Sequence, residues 1–398
     1  MRIQLWSYNY DPEPTGIAPL STVWAAAMRD RGHRVEVVAA HPHYPAPVWG
    51  KPVMPKREVR NRIPVLRLPL WPGRDSTVAR LRQELTFTAA LTLATPALGR
   101  PDVIVAVSPS FPALVPAMAN ARAKRIPWVL WLQDILPDGA SATGLLDDGA
   151  IIRASRRLER AAYRSAKRVA VISESFAENI RAKGVPDTKI ARIFNPASQP
   201  IQRHSVADRQ IDERLVLTMG NIGHTQNLVH VTKAFEASPE LAELGARFVI
   251  AGDGVAGDDV RAAITTDRVE VTGVVETPRL VSYLERAAVA VVSQQYQGID
   301  FNVPSKLANF MGYGLPTLAA VRPESEVARI VNESGGGWVT IGSDPNEFSA
   351  RLAHVLTDSE DRGSRGDKAL TFARQNFAPE AIAEQFETVL TDVVKETR

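Results

Sequence analysis

Apolar and polar residues alternate along this chain in two recurring kinds of segment. Short apolar runs, such as residues 103–107 and 288–292, predict strands whose two faces are both covered. Longer segments with apolar residues at a helical period, such as residues 17–31, follow these runs and predict helices. A strand–helix–strand order that repeats along the chain predicts the α/β class with parallel sheets.

The predicted strands form two successive sets. The first set lies at residues 2–7, 35–40, 63–68, 103–107, 128–132 and 168–172, and the second at residues 215–219, 247–251, 269–272, 288–292 and 338–341. The predicted helices include residues 17–31, 77–98, 151–166, 227–236, 304–313, 345–356, 362–377 and 379–395. Polar residues that follow Asn195-Pro196 predict a linker between the two sets.

These boundaries predict two Rossmann-like domains. The N-terminal domain would span residues 1–195, the linker 196–214 and the C-terminal domain 215–375. A final helix at residues 376–398 is expected to pack back on the N-terminal domain. The length of 398 residues agrees with two hydrophobic cores, because single cores stop growing below this size.

The most informative stretch runs from Gln297 to Ala320 and follows an apolar strand. Pro304 suits the first turn of a helix, and Gly314 suits the left-handed residue that ends one. Lys306 falls in the first turn, where the helix dipole disfavours a cation. A bound anion such as phosphate, held between this lysine and the free N–H groups, explains its position. From this stretch alone, a solvated lysine on an exposed helix explains the pattern equally well.

Composition excludes several kinds of site. The chain contains no cysteine, which rules out disulfides, thiolate metal sites and a cysteine nucleophile. No obvious cluster of metal ligands is found either. The first residues form a strand rather than a signal peptide, and no apolar run reaches the ~18 residues of a membrane helix. We therefore expect a cytoplasmic protein that contacts the inner face of the membrane at most peripherally.

Positive charge is concentrated in one segment, although the formal net charge is only +3. The cations between residues 51 and 82 are Lys51, Lys56, Arg57, Arg60, Arg62, Arg67, Arg74, Arg80 and Arg82, and the acids are Glu58 and Asp75. This segment, together with the helix at residues 77–98, predicts peripheral contact with an anionic membrane surface or a phosphorylated acceptor. A solvated basic face fits the same residues. A nucleic-acid partner is not predicted.

Loops with ligand-binding character follow the carboxyl ends of the predicted strands at residues 7, 132, 219, 251, 272 and 292. Ligands of parallel sheets bind at these ends, so the cleft between two such domains is the expected site. Gly16 would let backbone N–H groups approach a ligand at the start of the helix that follows it. The Gly-x-Gly-x-x-Gly fingerprint is absent, which disfavours a dinucleotide-dependent dehydrogenase.

In combination, these motifs resemble a retaining GT-B glycosyltransferase of family 4. The narrower resemblance is to the colanic-acid and O-antigen fucosaminyl transferase branch. It rests on Asn9-Tyr-Asp-Pro-Glu-Pro-Thr-Gly16, Gln133-Asp134-Ile-Leu-Pro137, Gly220-Asn-Ile-Gly223 with Gln226, and Pro304-Ser-Lys306. The resemblance covers nearly the whole chain, and the order and spacing of the motifs make it specific. It implies the GT-B fold, two Rossmann-like βα domains that face each other across a cleft.

The resemblance implies a nucleotide-sugar donor, expected to be UDP-linked, that the second domain binds without a cofactor or metal. The residues it places at the donor are Gly16, Gly220, Asn221, Gly223, Gln226, Gly273, Val274, Phe301, Asn302, Val303, Ser305, Asn309 and Glu326. Lys306 would neutralise the diphosphate, and Asp134 would contact the donor or acceptor sugar. Retention is expected to proceed by same-face attack, with the leaving diphosphate taking the acceptor proton. Helix capping is the alternative role for Asp134, and dipole stabilisation is the alternative for Glu326.

The chain departs from the family pattern at several of these positions. Family 4 commonly has two glutamates eight residues apart, and the matching residues here are Phe301 and Asn309. The usual Arg and Lys of the second domain match Asn221 and Gln226, which leaves Lys306 with more of the charge to neutralise. A histidine common in the first domain matches Gln133.

The leading hypothesis is a glycosyltransferase that acts in polysaccharide or glycolipid assembly. Its acceptor would be a glycan, a polyprenyl-diphosphate-linked sugar or a small-molecule natural product. A sugar-nucleotide epimerase of the same fold is a second hypothesis, but the candidate loops supply few of the carboxylates and histidines it needs. The altered glutamate pair keeps a third hypothesis open, a protein that binds nucleotide sugars without turnover. The sequence identifies neither the donor sugar nor the base.

Overall fold

The computed structural model describes residues 1–14, 16–45, 54–73, 76–108, 110, 112–135, 150–202, 206, 209–295 and 303–397. Within it the chain forms two compact units. The first unit comprises Met1–Asn195 together with Pro379–Arg398, and the second comprises Pro196–Ala378. Each unit contains one sheet flanked by helices, which confirms the predicted fold class of two α/β domains.

The strands of the first unit are β1 Arg2–Ser7, β2 Arg34–Ala40, β3 Lys56–Arg60, β4 Ile63–Leu68, β5 Val103–Val107, β6 Trp128–Leu132, β7 Arg168–Val171 and β8 Ile190–Arg192. Those of the second unit are β9 Asp212–Met219, β10 Arg247–Ala251, β11 Val269–Val271, β12 Ala287–Ser293, β13 Thr317–Val321 and β14 Gly337–Ile341. The strand orders are β3-β4-β2-β1-β5-β6-β7-β8 and β11-β10-β9-β12-β13-β14. Neighbouring strands are parallel except for the antiparallel pair β3–β4.

The helices are α1 Ile17–Asp30, α2 Thr77–Ala94, α3 Leu114–Lys124, α4 Ala150–Ser165, α5 Glu174–Ala182, α6 Leu228–Ala237, α7 Pro239–Glu243, α8 Gly257–Ala262, α9 Thr277–Arg286, α10 Ser305–Gly312, α11 Glu326–Ser334, α12 Pro345–Thr357, α13 Ser359–Asn376 and α14 Pro379–Lys395. Among these helices, none combines the length and apolar character that crossing a bilayer requires.

Continuous apolar strands form the core of each unit. Every residue of β5, β6 and β12 is buried, as expected for parallel strands covered on both faces. In the first unit α14 packs on α1, and the rings of Trp24, Trp131 and Phe386 lie 5.0–5.8 Å apart. Burying such a side chain contributes roughly 1.5–3 kcal/mol, so α14 is an integral part of the first core.

Local chemistry explains where the helices and strands depart from the predicted bounds. The helix predicted over residues 77–98 ends at Ala94 and continues as a 3₁₀ turn at Thr95–Ala97, because Pro96 cannot donate to the helix ladder. The periodicity also failed to reveal α9 at Thr277–Arg286 and the edge strands β3 and β8.

The basic segment is only partly a solvated face. Arg67 is 1% exposed and pairs with Glu58 at 2.9 Å, and Lys56 lies 3.2 Å from the same carboxylate. Arg60 pairs with Asp11 at 2.6 Å. Arg67 joins β4 to β3 and Arg60 joins β3 to the loop after β1, whereas Lys56 pairs within its own strand, so the buried Arg67 does not contribute to an exposed basic surface.

Candidate functional site

Two loops of the second unit are paired through their backbones. The Gly220 N–H donates to the Ala251 carbonyl and the Ile222 N–H to the Asp253 carbonyl, both at 2.9 Å. A Cβ on Gly252 would lie 1.9 Å from the carbonyl oxygen of Gly220, so no side chain fits there. The glycines in the run from Gly252 to Gly254 therefore allow the loop after β10 to support the loop after β9.

The supported loop continues into α6 through a 3₁₀ turn at His224–Gln226. Ser293 Oγ donates to the Gln226 carbonyl, and the Gln295 N–H donates to the Thr225 carbonyl at 2.8 Å. Asn227 is left-handed, with φ 51°, and its amide donates to the Gly342 carbonyl at 3.1 Å. The turn is thus fastened to the carboxyl end of β12, which fixes the position of Gln226.

Lys306 lies against this loop and is buried. The side chain is 7% exposed, its ammonium donates to Oε1 of Gln226, and its Cε is 3.8 Å from where a Cβ on Gly220 would be. Burial lowers the pKa of Lys306 from 10.5 to about 8. The interpretation of this residue as a solvated lysine is therefore wrong.

Among the described residues, the ammonium of Lys306 bonds to an amide and forms no ion pair with a carboxylate, and burial is the cause of its lowered pKa. Lys306 is also the second residue of α10, after Pro304 and Ser305, and the first N–H groups of a helix have no carbonyl within the helix to bond. A buried cation with one neutral partner beside a helix N-terminus is costly for folding and favourable for an anion. The second unit thus provides a candidate anion site.

Other predicted donor residues lie around or away from this lysine. Gly273 has φ +69° and begins the loop after β11, where Val274 is 87% exposed. Asn221 is exposed and Val303 half-buried. Phe301 and Asn302 fall outside the described residues.

The side chain of Asn309 forms hydrogen bonds with residues at the start of the second unit. Its Oδ1 accepts from the Ser198 and Gln199 N–H groups, both at 3.0 Å, and its Nδ2 donates to Ser198 Oγ at 2.8 Å. The side chain is 2% exposed. The resemblance places this residue at the donor, but its contacts here anchor the linker segment.

Glu326 is fully buried at the first position of α11. Ser325 caps the helix by accepting from the Ala328 N–H at 3.1 Å, and Arg329 lies 3.9 Å from the Glu326 carboxylate. Surface dipole stabilisation does not account for a carboxylate that is removed from water. Its proposed contact with the donor stays a prediction.

In the first unit, the residue that replaces the family histidine belongs to an amide pair. Gln133 Nε2 donates to Asn195 Oδ1 at 2.7 Å, and Asn195 Nδ2 donates back to Gln133 Oε1 at 2.8 Å. The Gln133 N–H donates to Ser108 Oγ at 3.0 Å. Burial raises the pKa of the neighbouring Asp134, partly opposed by a hydrogen bond from the Ile135 N–H. A carboxyl group of raised pKa is suited to carrying a proton, and the predicted role of Asp134 stays open.

The sequence did not reveal a buried cluster at the carboxyl ends of β1 and β2. Glu13 Oε1 accepts from the His43 and Tyr44 N–H groups, both at 2.7 Å, and Oε2 accepts from Asn9 Nδ2 at 2.8 Å. Glu13 and His43 are 4% and 3% exposed. A glutamate between two prolines and a histidine beside a proline, both just after strands, were the available signals.

Gly16 precedes α1 with φ +65°, a conformation that favours glycine, and nothing lies within 4 Å of a Cβ built on it. Backbone conformation rather than space therefore restricts this position. Its predicted approach to a phosphate stays a prediction.

Among the described residues, no group of three or more His, Cys, Asp or Glu side chains could hold a metal ion.

Comparison with known proteins agrees with the fold and with the two-unit organisation. Residues 15–196 match the model of the glycosyl transferase 4-like domain, and residues 213–358 match that of the glycosyl transferases group 1. Together with the two parallel α/β units, these matches define the class. The chain belongs to the glycosyltransferases of the GT-B fold, which confirms the resemblance inferred from the motifs.

Two named relatives come from Escherichia coli (strain K12) and Pseudomonas aeruginosa. The chain is 26% identical over 380 residues to the protein of Escherichia coli (strain K12) named as the colanic acid biosynthesis glycosyl transferase WcaI, covering 89% of this chain and 91% of that protein. It is 26% identical over 283 residues to the Pseudomonas aeruginosa protein named as the glycosyltransferase WbjE, covering 68% and 70%.

Solved structures share the fold at low sequence identity. Sucrose-phosphate synthase from Thermosynechococcus elongatus aligns with a TM-score of 0.69 and 15% identity over 100% of both chains. HepE of Anabaena, solved in complex with UDP, aligns with a TM-score of 0.67 and 17% identity over 98% of this chain and 100% of that one.

Proposed function

We propose that this protein is a retaining glycosyltransferase that moves a sugar from a UDP-linked donor to an acceptor hydroxyl. The observation that carries the proposal is the buried ammonium of Lys306, which lies beside a helix N-terminus and donates to the neutral amide of Gln226. HepE is solved with UDP, with UDP and glucose, and with UDP-glucose, and WcaI is named for colanic acid biosynthesis. We therefore place the reaction in polysaccharide or glycolipid assembly.

The diphosphate of the donor would bind between Lys306 and the backbone of the loop from Gly220 to Gly223. On binding, an oxygen of the diphosphate would replace Oε1 of Gln226 as acceptor for the ammonium. The positive φ of Gly220, 99°, and the supporting loop preset the backbone before the donor arrives. Little reorganisation would then be required at the moment of reaction.

Lys306 would act mainly while the bond from the anomeric carbon to the phosphate oxygen breaks. Negative charge grows on the leaving diphosphate, and a preorganised cation lowers the free energy of that state more than that of the intact donor. The acceptor oxygen would form its bond on the face from which the diphosphate leaves. Because this attack comes from the same face, the anomeric configuration is retained. The proton of the acceptor hydroxyl would pass to a diphosphate oxygen.

We propose the following contacts for the rest of the donor and for the sugar. Val274 and Gly273, which follow β11, would lie against the base, and Asn221 would contact the donor by hydrogen bonds. Glu326 would bind a hydroxyl group, and Asp134 of the first unit would contact the donor or acceptor sugar. In this scheme Lys306 and the N–H groups neutralise the diphosphate without a metal or cofactor.

The first test is a thermal-shift panel of nucleoside diphosphates and their sugar conjugates. A ligand that binds only the folded state stabilises it by about 2.7 kcal/mol at 100 times its Kd, so a uridine-specific shift is expected. A shift with no member of the panel would contradict the anion site. A shift with another base would retain the site and change the donor.

Turnover distinguishes transfer from the other functions of a nucleotide-sugar site. With the donor found above, release of nucleoside diphosphate should require a hydroxyl acceptor, and NMR of the product should show the donor's anomeric configuration. Release without any acceptor, together with a changed sugar, would identify an epimerase. Binding without release under polyprenyl-linked, glycan and small-molecule acceptors would indicate a protein that only binds the donor.

A further inference from the structure

The first residue after β12 carries a buried oxygen atom that lacks a hydrogen-bond partner. Gln294 is half-buried, and its Oε1 is shielded from solvent and accepts no hydrogen bond from the described part of the chain. A carbonyl oxygen that is removed from water without a partner lowers stability, and such atoms are rare in folded proteins. A ligand that donates a hydrogen bond to this oxygen would account for it.

The backbone around Gln294 is held by contacts on both sides. Its N–H donates to the Ala320 carbonyl at 3.2 Å, which extends the pairing of β12 with β13. The residues before and after it, Ser293 and Gln295, both donate to carbonyls of the turn at His224–Gln226. Gln294 therefore lies between the loop after β9 and the end of β13, and its backbone is fixed before any ligand binds.

The alternation of side chains along β12 shows which face of the sheet Gln294 lies on. Val289 and Val291 belong to the core cluster that contains Val231 and Phe235 of α6, and this cluster contains no residue of α10 or α11. Successive side chains of a strand point to opposite faces, so Gln294 lies on the face away from α6. The helix α10 packs against β12 and β13 on that face.

The candidate anion site lies at the same end of the sheet as Gln294. The helix α10 follows β12 in the chain and precedes the parallel strand β13, so its N-terminus lies at the carboxyl end of β12. Lys306 is the second residue of that helix. In a nucleotide sugar the sugar is bonded directly to the terminal phosphate. A diphosphate at Lys306 would therefore bring its sugar to the end of the sheet where Gln294 lies.

We propose that Gln294 binds a substituent of the donor sugar that both donates and accepts a hydrogen bond, either a hydroxyl or an acetamido group. Its Oε1 would accept from the O–H or N–H of that substituent, and its Nε2 would donate to the oxygen. Such a contact selects among sugars, because an analogue without the substituent leaves a buried polar atom unpaired. The inference rests on the proposed function, since it requires a sugar on the bound diphosphate.

A comparison of UDP with its sugar conjugates tests the role of Gln294. Calorimetric titration of the intact protein with UDP, UDP-glucose, UDP-galactose and UDP-N-acetylglucosamine identifies the conjugate that binds most tightly. Gln294→Met keeps the length of the side chain and removes both polar atoms. It should weaken the binding of that conjugate about tenfold, the effect of one lost hydrogen bond, and leave the affinity for UDP unchanged. Lys306→Met should instead weaken the binding of both ligands, because both carry the diphosphate.

The matched control is Gln295→Met, which changes the neighbouring exposed glutamine and retains its backbone bond to Thr225. It should bind UDP and the conjugate as the intact protein does. An equal loss in this control, or an equal loss of UDP and conjugate binding in Gln294→Met, would overturn the proposal. Denaturant unfolding should find Gln294→Met at least as stable as the intact protein without ligand. A clear loss of stability would show that the oxygen is paired in the free protein, and the proposal would fail.

Conjugates that lack one substituent of the preferred sugar identify the group that Gln294 binds. One of them should bind the intact protein about tenfold more weakly than the parent conjugate, and should bind Gln294→Met as tightly as the parent does. Equal losses in both proteins for every such conjugate would contradict the contact. An intact protein that binds neither UDP nor its conjugates would contradict the proposed function as well. If it binds both and Gln294→Met does not separate them, only the role of Gln294 is wrong.

Discussion

The carboxyl ends of the two sheets hold polar side chains in opposite ways. In the first unit, Glu13 accepts from the Asn9 amide and from the His43 and Tyr44 N–H groups, and Gln133 forms its reciprocal pair with Asn195. In the second unit, Lys306 is buried and its ammonium donates to the neutral amide of Gln226. The first end is a completed network that fixes loops. The second retains a buried charge that no carboxylate of the described residues neutralises, which favours it as the candidate donor site.

The largest effect is expected for donor affinity when Lys306, at the carboxyl end of the second sheet, is replaced. Lys306→Met should weaken donor binding about 100-fold, because a charge-assisted contact with phosphate contributes on the order of 3 kcal/mol. Lys233→Met, which removes an exposed lysine from α6, is the control and should bind the donor normally. Calorimetric titration of both variants measures the difference. Equal affinity in the two variants would remove the anion site.

The same substitution should stabilise the protein. Burial depresses the Lys306 pKa to about 8 in the folded state, against 10.5 in the unfolded chain, so the protonated form destabilises the fold. Lys306→Met should therefore raise the free energy of unfolding at pH 7 by on the order of 2 kcal/mol. Denaturant unfolding measures this gain. A loss of stability would mean that the ammonium is structurally compensated in the free protein.

At the carboxyl end of the first sheet, a substitution should lower stability and leave donor affinity unchanged. Glu13→Gln keeps an oxygen for the His43 and Tyr44 N–H groups but turns an NH₂ group toward the Asn9 amide. We expect a loss of about 2 kcal/mol in stability from this mismatch of two donors in a buried place, with donor affinity unchanged. Glu380→Gln, at an exposed position of α14, provides the matched control. A fall in donor affinity without a fall in stability would assign Glu13 to the ligand instead.

The local sequence pattern was sufficient to predict the central strands and the position of Lys306. It was insufficient to predict the networks of hydrogen bonds between distant side chains. β5 and β12 are continuous apolar runs, and Lys306 is placed by Pro304 and the strand before it, all within a short stretch. Asn309, by contrast, acquires its role from contacts with residues more than 100 positions earlier, which no local pattern encodes. β3 is a charged edge strand, and pairing with β4 rather than any apolar period defines it.

The smallest expected effect is the pH dependence of donor affinity and of stability that titration of Lys306 causes. The free protein loses the lysine proton near pH 8, while a bound diphosphate raises the pKa by favouring the charged form. Donor affinity should therefore be constant below pH 7 and fall about tenfold between pH 7 and 9, with proton uptake on binding in that range. The unfolded chain also binds more protons than the folded one between pH 8 and 10.5, so stability without donor should rise over that window while affinity falls. In Lys306→Met both dependences should disappear. A wild-type affinity that stays flat to pH 9 would show that the ammonium keeps its proton without a ligand, and the contrast between the two ends would then lose its electrostatic basis.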